Sequence, residues 1–202
     1  SAKVFLGFLY ESGITGIDLR LSMPRAVAHS YCVREGFSRD EVQNLLLSID
    51  QNTSLGKRDY AIILLAAQTA LRAVDIANLK RNDIDWRKRE ISIIQHKTGK
   101  PLSLPLPAES NNAIAEYILH HRPKSDQPYV FLCHTGTIRP IRSGSVSAIA
   151  SRYMKRIGIA GLKPGRAFHA LRRYFATTLM KEEVSVELIQ QILGHSRINS
   201  AK

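Results

Sequence analysis

The stretch "HALRRYFATTLM" at 169–180 sets His169, Arg172 and Arg173 at positions i, i+3 and i+4, so on a helix the three share one face. Leu171, Phe175 and Leu179 fall at i, i+4 and i+8 and form a second stripe suited to a core. Such a helix offers one face to the protein interior and the other to an anion. A phosphodiester fits that face, because a guanidinium is planar, keeps its charge, and can hold two non-bridging oxygens at once. An imidazole beside it can orient groups or shuttle a proton near neutral pH. Taken alone, the stretch is equally consistent with a surface arginine pair beside a capping histidine.

The charge of the chain favours the anion. Its 202 residues, 44% hydrophobic, suffice for a real core in one domain, or one domain with a short appendage, and exclude the disordered and fibrous classes. The net charge of +12 points to a polyanionic partner, nucleic acid ahead of an anionic membrane. Residues 1–60 carry seven basic and seven acidic side chains, so the whole excess lies in 61–202. There it gathers in "KRNDIDWRKR" (80–89), "RPIRSG" (139–144), "SRYMKR" (151–156) and "KPGRAFHALRR" (163–173). Cys32 and Cys133 form no C-x-x-C pair, which argues against a disulfide framework or zinc knuckle and suits a reduced, cytoplasmic setting. The apolar run "AIILLAA" (61–67) is far short of the ~20 residues a membrane span needs, and the amino-terminal sequence lacks a signal-peptide pattern. No metal-ligand spacing such as H-E-x-x-H occurs, even at the adjacent His120 and His121, so neither a metal nor another cofactor is expected.

The elements that must position these residues are mostly helices. Residues 3–12 have helical apolar spacing, and 13–36, with Gly13, Gly16, Pro24 and Gly36, suit a linker. "FSRDEV" is a capping box: Ser38 and Glu41 satisfy each other's backbone amides and Phe37 can pack on Val42, predicting a helix over 39–49. "RDYAIILLAAQTALR" (58–72) predicts a deeply buried helix, apolar at nearly every position. "EISIIQHKTGKPLSLPLP" (90–107) alternates like two strands around a Thr98-Gly99 turn, with Pro101 and Pro105 on an exposed edge. Further helices are expected near 108–121, 144–157, 169–181 and 185–193, with a short strand at 129–133. The expected fold is mainly α with a small antiparallel β-sheet.

Four stretches together resemble one family. "TALRAVDIANLKRNDIDW" (69–86), "HKTGKPLSLPLP" (96–107), "HALRRYFATTLM" (169–180) and "IQQILGHS" (189–196) have the order and spacing of the catalytic domain of tyrosine recombinases, the phage-type integrases. The resemblance covers residues 37–202 and implies the DNA breaking-rejoining fold shared with type IB topoisomerases. It assigns residues 1–36 to the end of a core-binding domain plus linker. It implies a site-specific recombinase of a mobile element, acting on double-stranded DNA through a 3′-phosphotyrosyl intermediate, without cofactor, in a tetrameric synaptic complex of the full-length protein.

The same resemblance assigns roles. Arg72 and Arg172 match the two active-site arginines, Lys97 the lysine of the β-hairpin, His169 the histidine of H-x-x-R, and His195 the last His or Trp position. Asp75 matches a supporting acidic position. Attack on a phosphodiester builds negative charge on two oxygens with no metal to absorb it, a task for the two arginines. Lys97 would protonate the leaving 5′ oxygen, although Lys100 flanks the same turn and remains a rival. Arg139, Arg142 and Ser145, before or at the start of the 144–157 helix, are candidate DNA contacts through backbone amides and side chains, and Arg173 adds another.

The family's nucleophile is a tyrosine shortly after the "LGH" motif. The seven tyrosines here are Tyr10, Tyr31, Tyr60, Tyr117, Tyr129, Tyr153 and Tyr174, none of them after His195. The expectation is a catalytic domain that stops short of its tyrosine and is inactive as it stands. Two alternatives from other classes are a noncatalytic DNA-binding or regulatory module of the same fold and a helical RNA-binding protein.

Overall fold

The computed structural model describes residues 2–20, 22, 36–159 and 168–193. The chain divides into two compact units, residues 1–34 and 35–202. In the first, helix α1 (Ala2–Glu11) is followed by a turn in which Arg20 binds the carboxylates of Asp18 and Glu11. Most of the expected linker, and His195, lie outside the described residues.

The second unit is built around one helix. The capping box forms as expected: the Ser38 hydroxyl accepts from the Glu41 amide, the Glu41 carboxylate accepts from the Ser38 amide, and α2 (Arg39–Leu47) follows. The buried helix α3 runs Ser54–Thr69 rather than 58–72. It starts earlier because Thr53 Oγ1 accepts from the Gly56 amide, an N-cap. Gly56 is required there, since a Cβ would stand 1.8 Å from the Asp50 carbonyl oxygen. It ends earlier because Ala70 turns left-handed at φ 53°. Residues 61–67 are all buried, and α3 packs on most of its neighbours, α2 included. Those neighbours include α4 (Ala73–Asn78), α5 (Ala108–Glu116), α6 (Ser143–Arg156) and α7 (His169–Lys181).

The small sheet has the order β1 (Ile84–Asp85), β2 (Glu90–Ile94), β3 (Pro101–Pro105), antiparallel throughout, with Ile91 opposite both Ile84 and Leu104. β3 is an edge, which tolerates the two prolines that lack ladder donors. Residues 129–133 form no strand: Tyr129 and Leu132 make single bridges to Lys80 and Pro140. Backbone bonds to Leu79, Arg139 and Ile141 hold that segment, and Arg122 braces the chain leading into it by donating to the carbonyls of Pro123, Ser125, Gln127, Tyr129 and Val130. Helix α5 continues into a π-helical turn, Tyr117–His121, and the last helix, α8, spans Val186–Leu193. Fold class and most helices match the sequence reading. The short α4 and β1 do not stand out in the sequence, because two to six residues carry too little periodicity.

Candidate active site

Arg72, Lys97 and His169 sit where one element hands over to the next. Arg72 is the N-cap of α4, two residues beyond the left-handed turn at Ala70 that separates α3 from α4. Without that turn α3 would run on and carry Arg72 around the helix. Arg172 stands one turn into α7, whose inward face buries Ala170 and Leu171 in the main core. Phe175 and Leu179 pack against a second cluster of Ala70, Ile189 and Leu193, which joins α7, α8 and the end of α3.

The two arginines converge. Arg172 Nη1 donates to the Ala70 carbonyl at 2.6 Å, and its Nη2 donates to the Leu193 carbonyl at the end of α8. Arg72 Nη2 donates to the same Leu193 oxygen at 3.3 Å. One carbonyl oxygen is thus shared by both guanidinium groups. Burial, and after it the charge of Arg72, lowers the pKa of Arg172 to about 10, while Asp75 acts in the opposite direction. It remains protonated at neutral pH.

Asp75, buried on the first turns of α4, serves two partners. Its Oδ2 lies 3.9 Å from Arg72 Nη1, and its Oδ1 accepts from the backbone N–H of His96 at 3.0 Å. The second bond fixes the β2–β3 turn at the residue before Lys97. The turn is further closed by the Gln95 amide on the Lys100 carbonyl (2.9 Å) and the Gly99 amide on the Gln95 carbonyl (2.8 Å). The Thr98 hydroxyl adds a bond to the buried Gln95 side chain (2.7 Å). Gly99 takes the left-handed conformation, φ 65°, which costs glycine little. Lys97 is exposed on this stiff turn.

His169 opens α7. The residue is exposed overall, yet the protein strips part of the hydration from its ring. That desolvation, followed by the charges of Arg172, Arg173, Arg72 and Lys97, pushes the imidazole below its ordinary value. The cations whose charge acts on His169 thus include Lys97 as well as the three arginines. Arg72 is tied to Asp75 and, through the Leu193 carbonyl, to Arg172, while Asp75 holds the turn that carries Lys97.

Arg139, Arg142 and Ser145 are exposed in the loop before α6 and in its first turn, and no interaction described here ties them to the arginine pair. Tyr174 is half-buried against the main core. The backbone groups that aim the arginines, the carbonyls of Ala70 and Leu193 and the amide of His96, are invisible to a reading by side-chain type. A second polar knot also escaped it: buried Asp59 accepts from Arg58 and Arg152 and from the Tyr153 hydroxyl at 3.2 Å, bracing α3 against α6. Among the described residues no group of three or more His, Cys, Asp or Glu side chains could hold a metal ion, and no helix is long and apolar enough to cross a membrane.

A mainly helical domain with a small three-stranded antiparallel sheet is the fold of tyrosine recombinase catalytic domains. The model of the phage integrase family matches residues 36–202, and the chain belongs to that family. A protein of Sinorhizobium fredii, provisionally named integrase/recombinase y4rA, is 33% identical over 98% of this chain and 48% of its own length. Tyrosine recombinase XerC 2 of Ralstonia nicotianae is 29% identical over 90% of this chain and 51% of its own. The chain spans about half the length of these curated relatives. Among solved structures, XerA recombinase is similar with a TM-score of 0.70 and 23% identity, covering 99% of this chain and 67% of that one. The Tn1549 transposon integrase in complex with a circular intermediate DNA reaches a TM-score of 0.79 at 18% identity, covering 98% and 70%.

Proposed function

We propose that the chain is the catalytic part of a site-specific DNA recombinase, an integrase of a mobile element, acting on double-stranded DNA in the cytoplasm. The observation that carries this reading is the convergence of Arg72 and Arg172 on a single oxygen, with Lys97 and His169 beside them. Two fixed guanidinium groups meet the need of a phosphodiester under attack, where charge grows on the non-bridging oxygens and no reorganisation is required to stabilise it.

In the reaction, a tyrosine hydroxyl passes its proton to a histidine of the site, its oxygen bonds to phosphorus, and the bond from phosphorus to the 5′ oxygen breaks. Lys97 protonates that oxygen as it leaves, and the DNA 3′ end stays on the protein as a phosphotyrosine. The 5′ hydroxyl of the partner strand then reverses the step, so no energy source is consumed. The family resemblance puts the attacking tyrosine shortly after His195, and none of the seven residues from Ser196 to Lys202 is a tyrosine. Arg72, Arg172 and Lys97 are the groups we assign to catalysis, with His169 and His195 orienting groups or moving protons. Asp75 positions, while Arg173, Arg139, Arg142 and Ser145 contact the DNA backbone. The solved lambda integrase similar to this chain is a dimer bound to a core site. We infer a similar pairing here, with four protomers in the full synaptic complex.

The test is to incubate the full-length gene product with a duplex of its own target site carrying a nick next to the scissile phosphate, so that the cleaved fragment diffuses away. An SDS-resistant protein–DNA adduct is expected. Binding to the duplex with no adduct would support the noncatalytic DNA-binding reading instead.

A further inference from the structure

The carbonyl oxygen of Leu193 sits between the two guanidinium groups, receiving Nη2–H from both Arg72 and Arg172. Two features make it more than an ordinary helix end. A peptide carbonyl is a strong acceptor whose oxygen carries a partial negative charge, so Leu193 offers the arginines a neutral counterpart to an anion. In addition, two guanidinium groups converging on one oxygen is the arrangement they would adopt around a non-bridging phosphate oxygen.

Resting on the reading above, we propose that the carboxyl end of α8 is a built-in occupant of the phosphate site, which a bound phosphate displaces. In the anion-free protein the Leu193 carbonyl offsets the mutual repulsion of Arg72 and Arg172, which otherwise acts on a pair buried enough to lower the pKa of Arg172. A phosphate carries a full charge and several acceptor oxygens and outcompetes a single peptide carbonyl for the same N–H groups. Its entry frees the end of α8 from the arginines. What then holds α8 is mainly its apolar face, where Ile189 and Leu193 pack on Ala70. The helix has only eight residues, a length that is marginal without tertiary contacts. Loading of the site and loosening of the segment that leads to His195 are thus one event.

The experiment is amide hydrogen exchange of the 202-residue protein in inorganic phosphate and in chloride at equal ionic strength, with phosphate binding followed in the same samples by NMR shifts of the Arg172 Nε–H. The expected result is severalfold faster exchange of the 190–193 amides when phosphate is bound. Unchanged or slower exchange with phosphate bound would overturn the displacement while leaving the recombinase reading intact. No shift at Arg172 at any phosphate concentration would overturn the anion-site reading, and the inference with it. A second variant fixes the sign independently. Gln191→Gly, on the exposed side of α8, weakens the helix without touching either arginine. Competition predicts phosphate affinity higher by about twofold to fivefold, whereas lower affinity would mean that α8 supports the site rather than fills it.

Discussion

The Asp75 carboxylate accepts the backbone N–H of His96 at 3.0 Å while lying three residues after Arg72, so one buried side chain joins the helix of the first arginine to the turn that carries Lys97. That bond ties the turn carrying Lys97 to the helix that Arg72 caps.

Removing that link should cost stability as well as rate. Asp75→Ala leaves the His96 amide without its acceptor and Arg72 without its nearest carboxylate, for an expected loss of about 2–4 kcal/mol in urea unfolding. Asp75→Asn keeps an acceptor for His96 and should lose less. Equal losses for the two variants would show that the hydrogen bond contributes nothing.

Lys97 and Lys100 flank the same turn, but it is the charge of Lys97 that reaches His169. If Lys97 is the general acid, Lys97→Met should slow cleavage by the full-length gene product by about 10²–10⁴. Sulfur in place of the scissile 5′ oxygen should restore most of that rate, because a thiol, with a pKa of about 8.5, leaves without prior protonation. Lys100→Met should show neither effect.

His169 should titrate below its ordinary 6.5, because desolvation and four neighbouring cations oppose its protonation. Its pKa is lower in the folded than in the unfolded state, so between the two values the unfolded chain binds more protons. The stability linked to His169 is therefore fully present above pH 6.5 and is lost as pH falls through the folded-state pKa. An NMR titration of its ring protons checks the direction, and Arg173→Gln should move the midpoint upward.

Arg122 is a structural prediction away from the site. Its guanidinium serves five carbonyls of the 123–130 segment. Arg122→Met strands them at an expected cost of about 2–4 kcal/mol in urea unfolding, and Arg122→Lys, lacking the planar fork, recovers only part.

Much of this was legible in the sequence, and the remainder was not for identifiable reasons. The Ser38–Glu41 box and the apolar run of α3 mark their elements because local side chains dictate them. His169, Arg172 and Arg173 share a face through helical spacing alone. The left-handed turn at Ala70 gave no warning, since alanine is a good helix former and the contacts made there, packing against Ile189 and Leu193 and the bond from Arg172 to its carbonyl, come from distant residues. The segment 129–133 reads as a strand by composition, yet its backbone bonds to Leu79, Arg139 and Ile141 are too scattered for a ladder, and Arg122 takes the carbonyls of Tyr129 and Val130. The shared Leu193 carbonyl is a backbone group brought in over a separation of 121 residues from Arg72, a relation no local pattern encodes.

The central claim is that Arg72 and Arg172 hold the phosphate under attack. Its most direct test is the rate of covalent adduct formation by the full-length gene product on nicked target duplex, for the wild type and for Arg172→Gln, with duplex affinity measured alongside. The account predicts a rate lower by about 10²–10³ with a much smaller loss of affinity, because the interaction strengthens as charge develops. An adduct rate that falls only as far as affinity falls would contradict it and make Arg172 a DNA-binding residue alone.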